Sequence, residues 1–188
     1  MSDDLTTMAL GEDFPDLRAA VRRICEGYPG EYWRDLERES GYPTAFIDEL
    51  TQSGFLAALI PEEYGGAGLP LRAAAVILET INASGCNSSQ GHAQMYIMGT
   101  LLRHGSEAQK RAYLPKIASG DLRLQAFGVT EPTTGSDTTQ LKTRAVRDGD
   151  RYIVNGQKVW TSRAKFSAAV SVRTKASRIG RASCRERV

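Results

Sequence analysis

Apolar side chains recur every three to four positions from about residue 13 to residue 120, and about every second position after Asp121. A helical period followed by a strand period predicts an α-helical part and then a β part. Asp13 is placed to cap a first helix running to about Tyr28. Phe14, Leu17, Val21 and Ile24 share its inner face, and Arg18, Arg22 and Glu26 point outward. Pro29-Gly30 stops that helix. Short helices follow over residues 31–39 and 44–52, the latter pairing Phe46 with Leu50 at i, i+4. The turn Gly65-Gly-Ala-Gly68 precedes a helix over 71–84, apolar on nearly all sides between Ala73 and Leu78, as a buried central helix is. Ser88 or Ser89 opens the next helix. Ser106, with Gln109 three residues on, forms a capping box for the last, which Gly120 ends.

Residues 122–130, 142–146 and 152–154 read as strands. Arg147-Asp148-Gly149-Asp150 joins the last two as a hairpin. Asn155-Gly156 signals a second hairpin before a strand over 157–162. The expected fold class is α+β: an N-terminal all-α domain over 1–121, then the first strands of an antiparallel β-barrel or sandwich domain over 122–166. Residues 167–188 show no period and carry scattered arginines. They read as a basic tail, disordered, out of frame or foreign to the gene, with a genuine basic tail as the alternative.

Composition narrows the class. With 41% hydrophobic and 24% charged residues the chain falls among globular proteins, and no apolar run approaches the roughly 20 residues of a membrane helix. The N-terminus Met-Ser-Asp-Asp-Leu-Thr-Thr is the reverse of a signal peptide, so a cytoplasmic protein is expected. Cys25, Cys86 and Cys184 lack the spacing of a disulfide framework or a zinc site and read as free thiols. The formal charge of +2 is set by the tail. Residues 168–188 hold six of the 24 basic side chains and one of the 22 acids, which leaves 18 and 21 in the first 167, a charge of −3. A nucleic-acid surface is not implied.

Two segments carry the chemistry. Gln125-Ala-Phe-Gly-Val-Thr-Glu-Pro-Thr-Thr-Gly-Ser-Asp137 breaks an apolar strand into a loop of small hydroxyls and backbone N–H groups. Gly156-Gln-Lys-Val-Trp-Thr-Ser162 presents an indole with two hydroxyls beside it. A planar, phosphorylated cofactor needs both surfaces. The lone histidines His92 and His104 suggest neither a metal site nor a triad, and the glycine-rich turn at 65–68 lacks the βαβ setting of a dinucleotide fingerprint.

The ordered pair V-T-E-P-T-T-G-S-D (129–137) and N-G-Q-K-V-W-T-S (155–162) resembles the flavin-binding core of the acyl-CoA dehydrogenases. The resemblance implies FAD as cofactor. It implies that Phe127, Gly128, Val129 and Thr130 line the flavin ring, with the Thr130 hydroxyl at the pyrimidine edge. Gly135 and Ser136 would meet the pyrophosphate, Ser136 also lying near the pantetheine arm of the substrate. Trp160 would pack on the ring, and Thr161 and Ser162 would sit near N5 and O4. Thr133-Thr134 stands where relatives often have Gly-Ala, which makes the loop bulkier.

The implied reaction is α,β-dehydrogenation of an acyl-CoA to a 2-enoyl-CoA. Electron-transfer flavoprotein is the implied acceptor, and the intact protein is implied to be a homo-oligomer, dimer or tetramer. No catalytic residue is assigned, because the family's base glutamate lies beyond the residues matched, so a truncated and inactive polypeptide is expected. No metal, nucleic-acid or membrane partner is expected. The alternatives are an acyl-CoA oxidase or nitroalkane-oxidase-like flavoenzyme, a non-catalytic helical binding module, and a tail that binds nucleic acid.

Overall fold

The computed structural model describes residues 14–168 and 170–176. The chain divides into two compact units between His92 and Ala93.

In the first unit, helix α1 (Pro15–Glu26) starts at a proline, whose fixed φ and missing N–H suit the first helical turn. The expected Asp13 cap lies outside the described residues. Val21, Ile24 and Cys25 form its buried face. Arg18, expected to point outward, instead reaches helix α4 (Leu71–Ala83), donating to Glu79 Oε2 at 2.8 Å and to the Thr80 hydroxyl at 3.3 Å. Its long stem lies along the packed interface while the guanidinium finds partners at the rim.

Helix α2 (Gly30–Arg38) buries no residue fully. Its half-buried Tyr32 and Trp33 join Tyr28 and Phe46 in a cluster of edge-to-face rings 5.0–5.2 Å apart. Pairs of this kind contribute about 0.5–1.5 kcal/mol beyond area burial, which serves a helix with no aliphatic face. Helix α3 (Thr44–Gln52) buries Phe46, Ile47 and Leu50 as the spacing predicts. The glycine-rich turn is structural. A Cβ on Gly66 would fall 2.1 Å from the Ile60 carbonyl oxygen, so only glycine permits that approach. Helix α4 buries Ala73, Ala74, Val76, Ile77, Thr80 and Ile81, a face wide enough for a central helix.

Helix α5 (Ser89–His104) contains the division between the units. In the second unit, helix α6 (Glu107–Ser119) carries the expected capping box. Ser106 Oγ accepts the Gln109 N–H at 3.2 Å, Gln109 Oε1 accepts the Ser106 N–H at 2.9 Å, and Gly120 ends the helix at φ 87°.

The strand expected over 122–130 is shorter than the alternation predicts, while those expected over 142–146 and 152–154 run over 144–148 and 151–155. Strand β1 covers Ala126–Gly128 only, while β2 (Arg144–Asp148) and β3 (Arg151–Asn155) form the expected antiparallel hairpin, with Gly149 at φ 62° in its turn. The stretch from residue 167, expected to lack structure, begins with two strands. Strand β4 (Val170–Val172) pairs parallel with β1, and β5 (Lys175–Ala176) pairs parallel with β2. Ser167 fixes the entry: its hydroxyl accepts the N–H groups of Gln125 and Ala126 and donates to the Arg123 carbonyl. Main-chain pairing decides here, because β1 and β2 offer ladder groups that side-chain patterning does not reveal. The rest of the expected tail, 177–188, lies outside the described residues. Among the described residues no helix is long and apolar enough to cross a membrane.

Candidate functional site

After β1 the chain leaves the ladder at Val129 and closes a tight turn. Glu131 and Thr134 exchange backbone hydrogen bonds at 2.9 and 3.1 Å, with Pro132 and Thr133 at the tip. Thr134 is buried and its hydroxyl donates to the Gln140 carbonyl at 3.3 Å. Of the extra bulk expected in this loop, Thr134 is turned inward, where it braces the turn, and Thr133 stays exposed at the tip. Gly135 and Ser136 follow on the exposed side. Asp137 then caps a short 3₁₀ turn, Thr138–Gln140, through the Thr139 N–H at 3.0 Å. The Thr139 hydroxyl and that N–H hold the Asp137 carboxyl below its ordinary range.

The second segment is not the strand that Asn155-Gly156 predicts. Gly156 lies against Thr143 so closely that a Cβ would fall 2.2 Å from the Thr143 hydroxyl oxygen. The glycine serves a close backbone approach instead of a turn. From there the chain runs beside the first segment. The Val159 N–H donates to the Thr130 carbonyl at 2.9 Å, and Lys158 Nζ donates to the Val129 carbonyl at 2.8 Å. Gly128 is buried beneath Lys158 and Thr161, a Cβ there falling 3.5 Å from the Thr161 hydroxyl.

Glu131 and Lys158 lock the two segments together, and sequence reasoning gave neither a role. Lys158 Nζ lies 3.0 Å from Glu131 Oε1, with side-chain exposures of 10% and 3%. The carboxylate also accepts the N–H groups of Lys142 at 2.6 Å and Thr143 at 2.8 Å. Its pKa falls to about 2. The neighbouring Thr143 hydroxyl acts most strongly, although its contact falls short of full hydrogen-bond geometry; the two amides and Lys158 add to it, against desolvation. The available signal was one acid and one lysine of opposite charge in the two motif segments.

The structure thus brings together Phe127, Gly128, Val129 and Thr130 with Trp160 and Thr161. The Glu131–Thr134 turn carries Gly135 and Ser136 from the end of the same segment, and Ser162 is exposed next to Thr161. Phe127 is half-exposed and tilts against Tyr96 of α5, with ring centroids 5.8 Å apart.

Three features fit a planar, phosphorylated ligand. Trp160 is 87% exposed and holds φ 60°, a left-handed conformation costly for a bulky residue and met at ligand sites. Thr130 and Thr161 are half-exposed hydroxyls on either side of the contact between the segments. Gly135 has an ordinary φ and a Cβ there would meet nothing, so the fold itself does not require glycine at that position. The residues present suit the flavin that the resemblance implies. The site is an open surface rather than an enclosed pocket. A small cavity of about 260 Å³ lies against the loop, lined by Glu131, Pro132, Thr133, Lys142 and Gln157. A larger one of about 630 Å³ in the first unit, lined by Trp33, Cys86, Asn87 and others, contains no predicted site residue. The motif chemistry, not cavity size, locates the site.

The family model described as acyl-CoA dehydrogenase, N-terminal domain, matches residues 11–121, and that of the middle domain matches 126–184. Acyl-CoA dehydrogenase FadE12 of Mycobacterium tuberculosis is 34% identical over 168 residues, 89% of this chain and 43% of the relative. (2S)-Methylsuccinyl-CoA dehydrogenase of Cereibacter sphaeroides is 38% identical over 164 residues, 82% of this chain and 28% of the relative. The crystal structure of an acyl-CoA dehydrogenase from Geobacillus kaustophilus is similar at a TM-score of 0.78 and 32% identity, covering 89% of this chain and 44% of that one. The chain spans less than half the length of each of these relatives.

Proposed function

The chain belongs to the acyl-CoA dehydrogenase family, and from that premise we propose that it forms the flavin-binding part of an FAD-dependent dehydrogenase. The reaction assigned is α,β-dehydrogenation of an acyl-CoA thioester to a 2-enoyl-CoA. The observation that carries this reading is the docking of Lys158-Val159 on the Val129 and Thr130 carbonyls, which sets Trp160 and Thr161 beside the 127–130 segment. When bound, FAD supplies the two-electron acceptor for the β-hydride.

The chain's own residues hold and orient. Thr130 would donate its hydroxyl to the flavin, and Thr161 and Ser162 would offer donors where charge grows on reduction. The Trp160 indole would pack on the ring and keep water from it. The exposed amides and hydroxyl of Gly135-Ser136 would take a phosphate, with Ser136 also near the substrate's pantetheine arm. Glu131 is no candidate base, since its carboxylate is fully engaged and held at a pKa of about 2. No glutamate in this chain is assigned proton abstraction, so the 188-residue chain alone is expected to be inactive. Acyl-CoA as substrate, an electron-transfer flavoprotein as acceptor and a homo-oligomeric, cytoplasmic intact protein are part of the same proposal.

The test joins residues 1–176 to the C-terminal part of a relative. The product should purify yellow with stoichiometric FAD and form 2-enoyl-CoA when supplied with an electron acceptor. A folded, colourless product that takes up no added FAD would sink the reading.

A further inference from the structure

From the second motif segment, the Lys158 side chain touches both the first segment and the loop anchor. Its ammonium reaches the Val129 carbonyl at 2.8 Å and Glu131 Oε1 at 3.0 Å, and its own segment continues into the Val159–Thr130 hydrogen bond. Its Cγ lies where a Cβ on Gly128 would approach to 3.4 Å, so the stem also packs on the first segment. Glu131 extends the link to the start of β2 through the amides of Lys142 and Thr143. Three stretches far apart in sequence therefore converge on one buried ion pair. The residues on either side of it are those the flavin reading uses.

We propose that Glu131 and Lys158 are positioning residues of the cofactor site. Their ion pair fixes the offset between Val129-Thr130 and Trp160-Thr161, and hence the spacing between the ring-edge hydroxyl of Thr130 and the indole that covers the ring. This rests on the flavin reading above. A buried pair of this kind adds little net stability compared with apolar replacements, but it defines a single geometry. Trp160 holds φ 60° at the end of the clamped stretch, a conformation that a loosened segment has no reason to keep.

The test uses the joined protein described above with FAD as the probe, in wild type, Lys158→Met and the double variant Glu131→Gln/Lys158→Met. Three quantities are read: melting temperature, exchange of the Val159 amide, and FAD affinity from quenching of tryptophan emission. Lys158→Met leaves Glu131 buried without its cation and should lower the melting temperature. It should speed Val159 exchange and weaken FAD binding by about tenfold or more, the loss expected of a charged hydrogen-bonding group. The double variant removes both charges, so it should regain melting temperature without regaining affinity. That split separates positioning from plain stability. Recovery of affinity together with stability overturns the proposal, as does equal affinity in wild type and Lys158→Met. Wild type that binds no FAD, while Val159 exchange still responds to the substitution, overturns the cofactor reading and the positioning role with it.

Discussion

On one buried carboxylate, Glu131, converge two backbone amides, a lysine and a threonine hydroxyl, and its acid–base behaviour follows from that environment. The carboxyl falls from its ordinary 4.5 to about 2. Between those values the unfolded chain takes up a proton that the folded chain refuses, so acid favours unfolding. The stabilisation is complete above about 4.5 and disappears as pH falls through about 2. Thermal melts across this window should lose part of their pH dependence in Glu131→Gln, and an unaltered profile would show that the carboxylate is not held as described. Two glycines make a contrasting pair. Gly156→Ala drives a Cβ into Thr143 and should destabilise by about 1–3 kcal/mol, the usual cost of overpacking. Gly135→Ala meets nothing in the protein, so stability should stay within about 0.5 kcal/mol while FAD affinity falls. In the first unit, burial pushes the Cys25 thiol up to about 12, with Cys86 beside it adding to the shift. Alkylation of native protein at neutral pH should therefore spare Cys25, and rapid labelling there would contradict the packing.

At the scale of elements, helix α6 begins and ends where local chemistry says it should. Ser106 and Gln109 exchange side-chain and backbone bonds at the start of α6, and Gly120 closes it in the left-handed region. Ser106→Ala should cost about 1 kcal/mol, read as a lower melting temperature in circular dichroism. The strands behave otherwise. The segment 157–162 has a strand-like sequence, yet it stays irregular because its donors go to the Val129 and Thr130 carbonyls through one backbone N–H and one lysine. Strands β4 and β5 arise in a stretch with no alternation, because β1 and β2 each present an edge to pair with.

For the molecule as a whole, these late strands extend the second unit beyond residue 167. A chain ending at Ser167 lacks β4 and β5, and should be less stable than one ending at Ala176 by more than about 1 kcal/mol, with earlier cleavage near β1 in limited proteolysis. Equal stability would mean that the parallel pairings contribute nothing. The helical unit, whose core of Phe46, Ile47, Leu50, Leu56, Ile60, Ile77 and Ile81 is almost wholly removed from solvent, should melt unchanged in both. Burying side chains of that size contributes about 1.5–3 kcal/mol each.

The sequence alone determined the helices, the capping box of α6 and the family to which the two motif segments point. Those features rest on period, capping residues and short motifs, which are local and can be read within a few neighbouring positions. Only the tertiary structure decided how the segments meet. Gly156 reads locally as a hairpin glycine and is in fact a contact glycine, because its neighbour Thr143 is 13 positions away in sequence. Arg18 reads as outward on its helix and is drawn to Glu79 and Thr80 by α4. Glu131 and Lys158 read as two ordinary charges in two motifs, and become one ion pair when the fold removes both from water. In each case the energy comes from a partner distant in the chain, and no local pattern records where that partner will be.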